Sequence, residues 1–183
     1  MEPAGSRADG GGASSAVPRL TIAVSACLLG EPVRYDGRLK TCPAVCHGLA
    51  RRADLHSLCP ETGAGMPVPR EPVDLFGDPA APRMRGVHTG VDWTERVNAW
   101  IEVSLDRCAA AGVAGFVLKA RSPSCGIGTA ALYAAPGAAP TGADGLFAAA
   151  IRRRFPHLPL VPDEGLDVEA FLAAAREAIG GDG

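Results

Sequence analysis

VAGFVLKARSPSCGIG, residues 113–128, reads as a strand covered on both faces that breaks into a loop at a cysteine. The run from Val113 to Leu118 is continuously apolar rather than alternating, which is the pattern of a buried parallel strand. Lys119 and the Ser-Pro-Ser-Cys-Gly sequence then end it with turn-forming residues. Two further stretches repeat this design. In TIAVSACLLG, residues 21–30, an apolar run beginning at Leu20 stops at Gly30 with Cys27 at the break, and in LHSLCPETGAG, residues 55–65, Cys59 stands at the same point. Loops leaving the carboxyl ends of parallel strands converge on one crevice, so Cys27, Cys59 and Cys125 suggest a single metal site built from three distant loops. Three protein ligands leave a position for substrate.

The segments between these stretches alternate in type. Thr41 is placed to cap a helix through CPAVCHGLARRADL, residues 42–55, with Pro43 in its first turn and HSLCP as a short strand behind it. Asp92 and Glu95 resemble a capping box ahead of RVNAWIEVSLDRCAAAG, where Val97, Trp100, Ile101, Leu105 and Cys108 recur at helical spacing and Gly112 is the stop. DGLFAAAIRRRF, LPLVP and VEAFLAAAREAIG add a helix, a strand and a helix. Strands alternating with helices predict a single α/β domain, a mostly parallel sheet with helices on both faces in a Rossmann-like three-layer arrangement. The stretch from Thr62 to His88, rich in Pro and Gly, reads as a long structured loop over the site. Residues 1–18, rich in Gly, Ala and Ser without apolar periodicity, read as a disordered tail ahead of a domain spanning 19–183.

Composition narrows the function. The chain has 183 residues, 47% hydrophobic and 21% charged, enough for one domain with its own core. A formal net charge of -2 gives no basic footprint for nucleic acid, and Arg152 to Arg154 reads as a solvated helix face. No apolar run approaches the roughly 20 residues needed to span a bilayer, and the first residues lack the basic-then-apolar order of a secretory signal. The chain reads as cytoplasmic, where thiols stay reduced, so its six cysteines are ligands, nucleophiles or core rather than a disulfide framework. Cys42 and Cys46, four apart with His47 beside them, lack two further ligands at zinc spacing. Cys108 lies on an apolar helix face and reads as core. His47, His56, His88 and His157 receive no catalytic role.

VSACLLGEPVRYDG, CPETGAGMPVPREP and LKARSPSCG, residues 24–37, 59–72 and 118–126, resemble in sequence and order the three signature blocks of the DUF523 family, whose characterised members are iron-sulfur thiouracil desulfidases. The resemblance implies a [4Fe-4S] cluster held by Cys27, Cys59 and Cys125, with one iron left without a protein ligand to take the substrate's sulfur. Thiolates are the soft ligands that suit such a cluster. It further implies non-redox replacement of a thiocarbonyl sulfur on a thiolated pyrimidine base or nucleoside by oxygen, with release of sulfide.

Glu61, two residues after Cys59, is the carboxylate nearest a ligand in sequence and the candidate base for the attacking water. Ser122 is the first choice for a proton relay or ring contact and Ser124 the second, while Lys119 and Arg121 flank the loop and could steady developing negative charge. Arg34, Asp36 and Arg70 belong to the matching blocks without an assigned role. The chain departs from the family pattern at EPVD, where Asp74 stands in place of an expected Glu, at GAGM before PVPR, and in the Ala- and Pro-rich region after Cys125. Two other classes fit the thiols: a non-catalytic sensor or carrier holding zinc or an iron-sulfur cluster, and a protein acting on thiolated RNA, which would need a positive surface near the site.

Overall fold

The computed structural model describes residues 19–181, so the disordered tail expected over residues 1–18 lies outside the described residues. Four strands form the central sheet: β1 (Leu20–Ser25), β2 (Ala53–Leu58), β5 (Val113–Leu118) and β8 (Leu160–Pro162), in the order β2-β1-β5-β8 and all parallel. β1 is central, and its Ile22, Ala23 and Val24 are completely buried. Side chains from this sheet enter two cores, as a sheet covered on both faces requires. Leu20, Ile22 and Val24 meet Phe171 and Leu172 of helix α4 (Val168–Gly180), while Ala23, Phe116 and Leu118 share the other core with helices α2 (Thr94–Ala110) and α3 (Leu146–Arg154). The three-layer α/β reading therefore describes this part of the molecule. Among the described residues no helix is long and apolar enough to cross a membrane.

Three local expectations are corrected. The helix expected over residues 42–55 is only a π-helical turn, Ala44–Gly48, followed by a 3-10 turn, Leu49–Arg51, and Thr41 does not cap it. β2 starts at Ala53 because residues 53–58 pair one-for-one with residues 20–25, and that pairing overrides the local helical period. The stretch from Thr62 to His88 is not one loop: it holds β3 (Val73–Phe76) and β4 (Arg83–Gly86), an antiparallel pair. With β6 (Ala130–Tyr133) and β7 (Thr141–Ala143) they make a second, mixed sheet, β4-β3-β6-β7, absent from the sequence reading. Its Val73, Leu75, Met84 and Leu132 enter the same core as α2 and α3.

Asp92 ties the second sheet to α2. Its Oδ1 accepts the Thr94 N–H at 3.0 Å, and its Oδ2 accepts from Arg83 Nε at 2.9 Å and Arg85 Nε at 3.3 Å. The reciprocal half of the expected capping box is missing, because Glu95 pairs with Arg83 instead. Burial alone would raise the Asp92 carboxyl, but the bonds from Thr94, Arg83 and Arg85 together hold it well below the usual carboxylate range. A depressed pKa stabilises the fold above the ordinary value near 3.8 and is lost as pH falls below it. Asp92→Asn is expected to cost about 1 kcal/mol at neutral pH. That difference from wild type should shrink below pH 4, measured by urea unfolding across pH.

Candidate active site

The carboxyl ends of β2, β1 and β5 lie side by side, and each delivers a cysteine. β1 ends at Ser25, and Cys27 sits in the 3-10 turn Ala26–Leu29 closed by Gly30 in a left-handed conformation. β2 ends at Leu58, and Cys59 is the residue from which the short helix α1 (Pro60–Gly63) starts. β5 ends at Leu118, and Cys125 lies in the loop beyond it, buried and held by its neighbours. Ser122 Oγ accepts the N–H groups of Ser124 (3.2 Å) and Cys125 (3.1 Å), and the amino end of α3 packs directly on this loop. Phe147 N donates to Ser124 O at 2.9 Å, and a methyl group on Gly145 would lie 2.4 Å from the Ser124 carbonyl carbon, so only glycine fits there.

All three cysteines line one cavity of about 400 Å³, together with Glu61, Arg34, Arg70, Asp74, Lys119, Arg121 and Ser122. Burial pushes the Cys27 thiol up to about 11. Cys59 adds to that push, and Lys119 and Arg34 pull against it. Burial also drives the Cys125 thiol far above its ordinary range. The Ser25 hydroxyl opposes this, and Cys59, Cys27 and Glu61 reinforce it. Among the described residues no three Cys, His, Asp or Glu side chains close on a single metal ion. Thiols are soft donors of the kind that suits an iron-sulfur cluster, and three of them line this one cavity.

Glu61 is the most constrained acid in the cavity. Its Oε2 accepts from Arg70 Nε at 3.0 Å and Nη2 at 2.5 Å, and its Oε1 accepts from Ser124 Oγ at 3.1 Å. Arg70 is 6% exposed and also donates to the carbonyls of Val33 and Pro67, which fixes the guanidinium plane. Ser124 is fully buried beneath the cavity wall, whereas Ser122 is part of that wall. Lys119, also in the wall, is paired through Nζ with Asp163 at 2.8 and 3.0 Å, and Asp163 Oδ1 additionally accepts the Ala120 N–H at 2.7 Å. Arg121 is exposed, carries a left-handed φ of 61°, and pairs with Glu164. Arg34 is bound to Asp36, which lies outside the lining.

Ser25, Asp163 and the clamping role of Arg70 were not read from the sequence. Only Asp163 left a usable signal: an acid directly after a short apolar run, at the carboxyl end of a strand. Cys42 and Cys46 stand outside the cavity; Cys46 Sγ donates to Leu28 O at 3.3 Å, and Cys42 packs at the edge of the α4-side core. Cys108 is fully buried in α2, as core, with its thiol pushed up to about 11 by burial.

Fold and site together define an α/β protein with a three-thiol cavity at the carboxyl edge of its parallel sheet. The profile of the 2-thiouracil desulfurase family matches residues 22–163, and the chain belongs to that family, a family of desulfurising enzymes. It is 30% identical over 112 residues, 58% of this chain and 74% of the relative, to "Uncharacterized protein YbbK" of Bacillus subtilis (strain 168). Among solved structures it resembles the [4Fe-4S]-dependent thiouracil desulfidase TudS, with a TM-score of 0.67 and 31% identity. That match covers 85% of this chain and 99% of the other.

Proposed function

We propose that this enzyme hydrolyses the thiocarbonyl of a thiolated pyrimidine base to the oxo form and releases sulfide, with a [4Fe-4S] cluster held by Cys27, Cys59 and Cys125. The observation that carries this reading is that one cavity is lined by all three thiols and by Glu61. The resemblance to a [4Fe-4S]-dependent desulfidase supports the cofactor. When bound, a cluster with one iron free of thiolate supplies a Lewis acid matched to a soft thiocarbonyl sulfur.

The chain's own residues supply the rest. Water attacks the thiocarbonyl carbon; a bond forms from oxygen to carbon, the bond from carbon to sulfur breaks, and sulfur departs as hydrogensulfide. No electron is gained or lost overall. Glu61 takes the water's proton at Oε1, the oxygen that faces Ser124, while Arg70 holds Oε2 and so fixes the carboxylate plane. Ser124 and Arg70 are positioning residues. Ser122 Oγ already accepts two backbone N–H groups, so its own proton is available to donate into the cavity. Lys119 places positive charge near the leaving sulfur, kept in place by Asp163. The domain spans residues 19–183 in this reading, and the substrate is a small thiolated base or nucleoside. A cytoplasmic site of action agrees with six free thiols.

The test is anaerobic reconstitution with iron and sulfide followed by measurement of 4-thiouracil loss and sulfide release. Stoichiometric conversion to uracil is expected. A reconstituted cluster that releases no sulfide from any thiobase overturns the reading.

A further inference from the structure

We infer that Asp74 is the residue that recognises the pyrimidine ring, accepting a hydrogen bond from the imide N3–H of the substrate. The inference rests on the desulfidase reading above. The cavity wall carries two carboxylates, Glu61 and Asp74. Glu61 is held by Arg70 and Ser124 and is assigned to the attacking water. Asp74 is half-buried on β3, opposite Arg85 in the antiparallel register, but Arg85 turns to Asp92. Among the described residues no hydrogen bond or neighbouring charge offsets the burial of Asp74, and its carboxyl is accordingly raised above the ordinary value.

The chemistry of the substrate makes this asymmetry informative. A thiopyrimidine ring offers two acceptors, the thiocarbonyl and the carbonyl, with N3–H between them. The wall offers donors in abundance, from Arg34, Lys40, Lys119, Arg121 and Ser122. It offers one carboxylate with no protein donor among the described residues. The Asp74 carboxylate, half-buried and open to the cavity, is free to accept from a ring N–H, and a hydrogen bond to a charged acceptor is among the stronger ones. N3–H rather than N1–H is assigned because N3–H persists whether the base is free or carries a sugar at N1. Asp74 thus gives the cavity a means of choosing imide-containing rings over other thiocarbonyls.

The experiment compares reconstituted wild type, Asp74→Ala and Asp74→Asn in two readouts. The first is steady-state sulfide release from 4-thiouracil and 3-methyl-4-thiouracil. The second is equilibrium binding of uracil and 3-methyluracil, which are not consumed. Wild type is expected to favour the unmethylated compound by about tenfold or more in both readouts, the scale of a hydrogen bond to a charged group. Asp74→Ala should raise KM for 4-thiouracil by a similar factor with kcat changed much less, and should lose the discrimination. Asp74→Asn, which keeps an acceptor oxygen, should recover part of it. Circular dichroism and melting temperature check that both variants fold.

Equal discrimination by wild type and Asp74→Ala, or an unchanged KM, overturns the assignment even if turnover is normal. A wild type that releases no sulfide yet binds uracil over 3-methyluracil in an Asp74-dependent way overturns the desulfidase reading and leaves the Asp74 contact standing. Binding of neither pyrimidine to wild type overturns the contact.

Discussion

Cys125→Ala is expected to lose the cluster and sulfide release together while the protein remains folded. The Cys125 side chain is buried, so removal of its sulfur leaves a small void costing on the order of 1 kcal/mol. That is a modest fraction of the stability of a domain this size. The functional loss should be complete. Two thiolates from Cys27 and Cys59 leave half of a four-iron cluster without protein ligands, and no other cysteine lines the cavity to replace the third. The measurements are the visible absorbance of the reconstituted protein, its iron content and its turnover, each set against a melting curve. Retention of a full cluster by Cys125→Ala would remove this residue from the ligand set.

Glu61→Gln should give the second large effect and the opposite spectroscopic result. The cluster absorbance persists, because Glu61 contacts Arg70 and Ser124 and is not among the assigned ligands. Turnover should fall by roughly 10² to 10⁴, the usual contribution of a positioned general base, and the loss should appear in kcat. Glutamine keeps the shape and one acceptor but not the charge that balances Arg70, so some stability is lost as well. Arg70→Lys separates the two effects. It restores a cation without the two-pronged grip on Oε2, and so should retain the fold better than it retains rate. A Glu61→Gln enzyme with wild-type kcat would exclude this carboxylate as the base.

β1 and β5 were legible because they are largely apolar runs, and the three thiols because each stands where a strand-like stretch breaks into a loop, whereas β2, with Asp54, His56 and Ser57, was read only over its last residues. The second sheet was hidden for a physical reason. β3, β4, β6 and β7 are three or four residues long and set among Pro and Gly, too short to display a period, and the pairing that joins the two local antiparallel pairs into one sheet, β3 with β6, is a parallel contact between segments far apart in the chain. The helix read through residues 42–55 failed because sheet pairing claimed its last three residues and left only short turns before them. Within the cavity, residue types could be named from the sequence but not their grip on one another. Ser122 and Ser124, two residues apart, face different surroundings, and only the fold distinguishes the one in the wall from the one behind Glu61. Lys119 and Asp163 are 44 residues apart and meet because β5 and β8 are neighbours.

The three cysteines reach the cavity from the ends of three different strands, with 31 residues between the first two and 65 between the last two. A short run such as a Cys-x-x-Cys pair can seize a metal while the chain is still unfolded and then organise structure around it. This chain cannot begin that way, because its thiols become neighbours only when β2, β1 and β5 have aligned. Topology therefore sets an order: the three strand ends align before any one group can be held by all three thiols.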